Sequence, residues 1–264
     1  MLNEITTCQH IVRFNGDSFI EQEDDIAVES ALTIVLDGEE FATIVCSPSD
    51  IQEMVVGFLA SEGIIRVFQD IQSIQVDEEQ GFAYVDLVTK PSIQKDFHSK
   101  RFIGSCCGKG RQFYFYNDMK TAKTIRTKLT VTPEQCHLLM REMQRSSAIF
   151  QKTGGVHNAA LCTVDGPVIT RTDIGRHNAL DKLFGCCLIQ RIPLKDKIIV
   201  FSGRISSEVL LKAAKMGVAI ILSKSAPTNL ALDLAEELGI TAIGFIRGRG
   251  FNVYTHPERV QGLN

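Results

Sequence analysis

Along the first part of the chain, apolar and polar positions alternate with the period of two that half-buried strands show. Residues 10 to 46 read as strands. Thr33–Leu36 and Phe41–Cys46 flank Asp37-Gly38-Glu39-Glu40, which predicts a hairpin turning at Asp-Gly. Ser47-Pro48-Ser49-Asp50 stops the second strand and offers a helix cap. From Ile51 the period changes: Ile51, Met54, Val55, Phe58 and Leu59 share one helical face, and Gly63 closes the helix. Ile71–Val76 and Phe82–Val88 predict a second hairpin across a polar turn, and a basic, polar stretch, Lys90–Arg101, follows. Phe113–Tyr116 is a strand-like aromatic run. Thr132-Pro133-Glu134-Gln135 combines a capping hydroxyl, proline at the first helical position and an acid and an amide in the first turn, predicting a helix to about Phe150. Met140 and Met143 on that helix read as packing rather than as metal ligands.

After Thr153-Gly154-Gly155 the texture shifts. Val156–Val164 and Pro167–Thr172 predict a hairpin about Asp165-Gly166, and Asp173 reads as the cap of a long helix, Ile174–Gln190. The pattern then becomes regular: strand Ile198–Phe201, helix Ser206–Met216, strand Val218–Leu222, helix Pro227–Leu238, strand Ile240–Ile246. Unbroken apolar strands alternating with amphipathic helices predict an α/β class with a buried, largely parallel sheet. A boundary near residues 117–131 divides the chain into a smaller strand-rich α+β region (1–125) and an α/β domain (126–264).

Composition narrows the function classes. The hydrophobic share of 44% and charged share of 22% are those of an ordinary globular protein. A net charge of −3 offers no basic field for nucleic acid or an anionic membrane, and no apolar run reaches a membrane-spanning length. The first residues lack the basic and apolar regions of a secretory signal, so the expected location is the cytoplasm. There the eight cysteines stay reduced. Their spacing lacks a Cys-x-x-Cys pair, so no structural metal is expected.

Two cysteine pairs contrast sharply. Cys186-Cys187 lies in an apolar helical run, where free cysteine packs as a small hydrophobe. Cys106-Cys107 lies between Gly104 and Gly108, followed by Lys109 and Arg111. Nearby cations favour thiolate, the nucleophilic form, and glycine lets a partner approach the backbone. Cys107, nearest Lys109, is the favoured reactive thiol, with Cys106 second. A phosphate-binding P-loop does not fit here: the spacing from Gly104 to Lys109 is short, and Gly110 stands where Ser or Thr belongs.

In the second half, three loops follow the strands' carboxyl ends: Ser202-Gly203-Arg204-Ile205-Ser206-Ser207, Ser223-Lys224-Ser225-Ala226-Pro227-Thr228 and Arg247-Gly248-Arg249-Gly250. Open α/β sheets bind ligands outside those ends, and helix starts with Arg and Lys nearby suit phosphate. A nucleotide-like anion is the expected ligand. Asp173, Arg176 and His177 read either as ligand contacts or acid–base groups, or as a cap with a solvated first turn; His157 stays equally open. Zinc-deaminase signatures are missing.

Thr153–Asn158, Asp173–Lys182, Phe201–Glu208, Ser223–Thr228 and Gly244–Phe251 running into Tyr254–Pro257, with the cysteine loop, together resemble the formate dehydrogenase accessory sulfurtransferase family (FdhD). The resemblance implies a cytidine-deaminase-like, three-layer second domain without zinc, and a homodimer. It also implies a carrier that accepts persulfide sulfur from a cysteine desulfurase and passes it to the molybdenum bis(molybdopterin guanine dinucleotide) cofactor of formate dehydrogenase, with GDP as a natural mimic of that cofactor. The family's cofactor segment falls on Phe245, Ile246, Arg247, Gly248, Arg249 and Gly250, joined by Ser202, Gly203, Arg204, Lys224 and His177. The family commonly carries Cys-x-x-Cys before Gly-Lys; here Gly104 takes the first cysteine's place. Sulfur transfer further predicts that the 102–111 loop closes over the sheet's ligand crevice. Two rival readings are a cofactor-binding chaperone without a covalent sulfur step and a redox or metal-handling dithiol protein.

Overall fold

The structure is a computed structural model that describes residues 5–89, the backbone of 101–103, and residues 124–262. The cysteine segment Gly104–Arg111 and the aromatic run Phe113–Tyr116 therefore lie outside the described residues.

β1 (Thr6–Phe14) and β2 (Phe19–Ala27) pair as a two-stranded ribbon. β3 (Ser30–Leu36), β4 (Glu39–Cys46), β5 (Ile71–Asp77), β6 (Phe82–Leu87) and β7 (Arg101–Ile103) form a five-stranded sheet in the order β5-β6-β3-β4-β7. Both expected hairpins are present, β3 with β4 and β5 with β6. β7 runs parallel to β4, with Ile103 level with Ile44. α1 (Ile51–Glu62) ends at Gly63 as the pattern predicts, but its start differs: Asp50 holds the N-cap position with φ 51° and its side chain makes no cap bond. Its carboxylate instead lies 3.8 Å from the Arg171 guanidinium.

The second half holds α2 (Pro133–Ser146), α3 (Ala148–Thr153), β8 (His157–Thr163), β9 (Gly166–Asp173) and α4 (Arg176–Ile189). There follow β10 (Ile198–Phe201), α5 (Ser207–Met216), β11 (Ile220–Ser223), α6 (Asn229–Leu238), β12 (Thr241–Arg247) and β13 (Gly250–Val253). The Thr132/Gln135 capping box forms as expected. The helix it opens does not reach Phe150: Ser147 leaves helical geometry at ψ 87° and caps a separate short helix by accepting from Phe150 N.

The six-stranded sheet has the order β13-β12-β11-β10-β8-β9. β10, β11 and β12 are parallel because helical crossovers join them, whereas the short turns β8–β9 and β12–β13 make antiparallel pairs and β8 also lies antiparallel to β10. The sheet is thus mixed rather than largely parallel, and β13 emerges from a Gly- and Arg-rich stretch with no strand signal. α2 covers one face, where Leu139, Met140 and Met143 pack on Ala160, Val200 and Leu222. α4, α5 and α6 cover the other, giving the expected three-layer α/β arrangement.

That second core continues through α4 onto α1 and the five-stranded sheet. The α1–α4 crossing is backbone on backbone. A Cβ on Gly57 would sit 1.7 Å from the Asp181 carbonyl oxygen, and one on Gly185 would sit 1.9 Å from that of Glu53. Only hydrogen fits at either position.

Candidate functional site

Six chain segments meet at one edge of the six-stranded sheet. The carboxyl ends of β10, β11 and β12 deliver Ser202, Lys224 and Arg247, and β8, running the opposite way, begins there with His157. β9 ends there at Asp173, opposite His157, and α4 starts there. The site is therefore a product of strand direction: parallel strands end where their antiparallel neighbour begins.

A cavity of about 290 Å³ opens at this edge, lined by Gln144, Phe150, Gly154, Gly155, His157, Asn158, Ser202 and Lys224 among others. The Ser202 hydroxyl accepts from Asn158 N at 2.9 Å and lies 3.3 Å from His157 Nδ1. Burial, with the charge of Arg176 beside it, lowers the His157 pKa below the ordinary histidine value, so the ring is neutral at pH 7.

The arginine segment stands beside this cavity. Arg247 Nε donates to the Lys224 carbonyl at 3.1 Å, and its guanidinium lies 5.5 Å from the centre of the Phe245 ring. Phe245 takes φ 55°, a left-handed conformation that a bulky residue adopts only at a cost of order 1–3 kcal/mol. It sits in a register shift between Gly244 and Arg247, and its ring is 37% exposed. Gly244 permits this: a Cβ there would come within 2.9 Å of the Ser225 carbonyl oxygen. The outcome is an exposed aromatic–cation face of the kind on which planar bases stack.

The expected contacts separate into groups. Ser202 and Lys224 line the cavity; Phe245, Arg247, Arg249 and Gly250 are exposed beside it; Arg204 is exposed after β10. Gly203 is buried, and its carbonyl accepts from the Ser223 hydroxyl at 2.7 Å. Ile246 is only 3% exposed and packs in the core beneath α2, so it can offer a ligand its backbone alone. His177 is half-buried, with Nε2 3.0 Å from Glu208 Oε2, and desolvation lowers its pKa despite that carboxylate. Neither open reading of Asp173 holds: the helix cap is Gly175, and the Asp173 side chain is wholly buried. One carboxylate oxygen accepts from Gly175 N and Asn178 Nδ2, the other from Ser47 N and Lys182 Nζ. Gln144, Phe150 and Asn158 carried no chemical signal in the sequence. They line the cavity because α2, α3 and β8 converge there.

Comparison with known proteins places this geometry in a lineage. The FdhD/NarQ family profile matches residues 27–261. The chain belongs to that family. It is 59% identical over 261 residues to the sulfur carrier protein FdhD of Bacillus licheniformis, covering 99% of both chains. It is 55% identical to that of Bacillus subtilis strain 168, covering 99% of this chain and 100% of the other. A solved structure of a candidate formate dehydrogenase accessory protein from Desulfotalea psychrophila superposes with a TM-score of 0.79 at 25% identity, covering 97% of this chain and 100% of that one.

A family with sulfur carriers directs attention to the thiols. Burial raises the pKa of Cys46, Cys136, Cys162, Cys186 and Cys187 to about 12 in each case. Cys186-Cys187 is thus the inert pair that its apolar surroundings suggest. Cys8 is exposed, but Glu23 beside it raises its pKa as well. Among the described residues no thiol is poised as thiolate at neutral pH. Cys106 and Cys107 lie outside those residues. No described helix is long and apolar enough to cross a membrane.

Proposed function

We propose that this chain is a cytoplasmic, homodimeric sulfur carrier of the persulfide type. A cysteine of the Gly104–Arg111 segment, Cys107 first and Cys106 second, accepts sulfur from a cysteine desulfurase and passes it to the molybdenum bis(molybdopterin guanine dinucleotide) cofactor, with formate dehydrogenase as the client. The observation that carries this reading is the near-full-length identity to proteins named sulfur carriers.

Physical chemistry supports it from two sides. Loading requires a thiolate to attack the donor persulfide, so a carrier thiol must combine exposure with a lowered pKa. The described cysteines fail that requirement, whereas Lys109 and Arg111 follow Cys107 in sequence. The cofactor is a substrate with guanine and phosphate parts. A base would stack on the Phe245–Arg247 face, and phosphates would meet Lys224 and Arg204. The cysteine segment follows β7 in sequence, and Ile103 is level with Ile44, on the strand that leads into the Ser47–Asp173 contact.

The experiment is direct. The full chain is incubated with a cysteine desulfurase and cysteine, and its mass is read intact and after digestion. A gain of one sulfur atom on Cys107, lost in Cys107→Ala together with formate dehydrogenase activation in cells, is expected. Full activation by both Cys106→Ala and Cys107→Ala would sink the carrier reading and leave a cofactor-binding chaperone.

A further inference from the structure

Asp173 and Lys182 have no exposed surface, and their charged groups meet at 2.7 Å. Desolvation of two charges offsets most of their attraction, so such a pair commonly stabilises no better than apolar side chains of the same size. What apolar packing lacks is direction: it tolerates sliding, whereas hydrogen bonds fix distance and angle. The distinctive effect of this pair is therefore on placement.

It holds a turn 126 residues away in sequence. Ser47 N donates to Asp173 Oδ2 at 3.0 Å, and Lys182 Nζ donates to the Ser47 carbonyl at 3.0 Å. Ile174 N donates to the Ser47 hydroxyl, also at 3.0 Å. Asn178 Nδ2 bridges the same seam, donating to the Val45 carbonyl at 2.8 Å and to Asp173 Oδ1 at 2.9 Å. Ser47, Asp173, Asn178 and Lys182 are all buried, so water does not compete for these bonds.

The two sides of the seam lead to different parts of the molecule. Asp173 stands opposite His157 in the β8–β9 ladder, and His157 lines the cavity. Ser47 directly follows β4, and β7 runs along β4 at the edge of the five-stranded sheet. Parallel strands finish at the same end. The chain therefore leaves β7, with Gly104 next in sequence, at the end of the sheet where β4 turns into the seam. β7, β4, Ser47, Asp173 and His157 thus form one bonded path from the strand that precedes the cysteines to the wall of the cavity.

We propose that Ser47, Asp173 and Lys182 are positioning residues for sulfur delivery. They hold the strand from which the cysteine segment departs at a set place relative to the cavity, and they touch neither the sulfur nor the cofactor. This rests on the carrier reading given above and adds the residues that align its two ends. Loading involves the cysteine segment and the donor protein without the cavity, so it does not need the seam. Delivery needs both ends in register, and a misplacement of about 1 Å can lower a rate about a hundredfold.

Asp173→Asn combined with Lys182→Met tests this, because it removes both charges together and leaves no buried ion unpaired. Ser47→Ala removes only the hydroxyl that holds Ile174 N, and it is the milder variant if the double one fails to fold. Three quantities are read for the full-length chain: sulfur gained from a cysteine desulfurase with cysteine, by intact mass; GDP affinity, by calorimetry; and formate dehydrogenase activation in cells, at matched soluble protein levels. Loading and GDP affinity stay at wild-type values, while activation falls by about tenfold or more in the double variant and by less in Ser47→Ala. Wild-type activation in both variants would overturn the positioning role. So would loading or GDP affinity that falls in step with activation, the mark of a merely structural tie. A wild type that gains no sulfur would sink the carrier reading and the positioning role with it. A wild type that ignores GDP would sink the guanine reading alone, and the split between loading and activation would still decide the role of the seam.

Discussion

His157 and His177 are neutral because the fold holds them away from water beside positive charge, and that has a consequence for stability. Both have pKa values lowered from the ordinary histidine value, with burial the leading cause. In the unfolded chain each titrates near 6.5. As pH falls below that value the unfolded chain takes up protons that the folded chain refuses, so the folded state loses stability until the lowered pKa values are reached. The expected result is a melting temperature that drops between pH 7.5 and 5.5 and a shallower drop in His157→Gln. A variant with the wild-type slope would show that His157 titrates normally. Asp173 is the contrasting residue. In sequence it reads as a helix cap, yet its carboxylate closes a four-donor cage with Lys182, Asn178, Gly175 and Ser47, all within hydrogen-bond distance. Ser47 also accepts from Ile174 N and, through its carbonyl, from Lys182 Nζ. The turn after β4 is thereby clipped to the turn after β9.

At the scale of elements, the α1–α4 crossing decides how the two sheets stand. Its tightness comes from two glycines facing across the interface, each within contact distance of the other helix's backbone. Flanking polar bonds reinforce it: Ser61 Oγ donates to Asp181 at 2.6 Å, and Lys212 pairs with the same buried carboxylate. Gly57→Ala or Gly185→Ala must push the helices apart because the obstacle is a carbonyl, not a flexible side chain. Each is expected to cost more than the ~1–3 kcal/mol usual for an overpacked core, read as a shift in the urea midpoint or as loss of soluble protein. Near-wild-type stability in either variant would refute that close approach. The β12–β13 hairpin works by the opposite device. There an irregularity is tolerated at Phe245, and the regular ladder on either side holds the exposed ring in place.

Across the whole molecule, one apolar core runs from the five-stranded sheet through α1 and α4 to the six-stranded sheet, from Ile34 and Val85 to Leu161 and Ile221. Among the described residues that core is continuous, so the two halves are expected to unfold together. Calorimetry should show one transition that coincides with far-UV circular dichroism; two resolved transitions would mean independent halves. The division drawn near residues 117–131 would then mark no boundary of cooperativity.

Much of this architecture was legible locally. Strand alternation, helix periodicity, the Thr132 cap box and the Asp-Gly turns depend on neighbours within a few residues, and the short motifs placed the chain in its family. Asp173's tie to Ser47, the mixed direction of the sheet, the strand at Gly250–Val253 and the cavity wall of Gln144, Phe150 and Asn158 depend on residues far apart in sequence. A sequence window sees which side chains prefer helix, strand or turn, because those preferences are set by local backbone sterics and burial period. Which charges end up buried against each other is set only when separate strands and helix starts converge. That convergence, at the edge shared by His157, Arg176, Ser202 and Lys224, belongs to the tertiary structure alone.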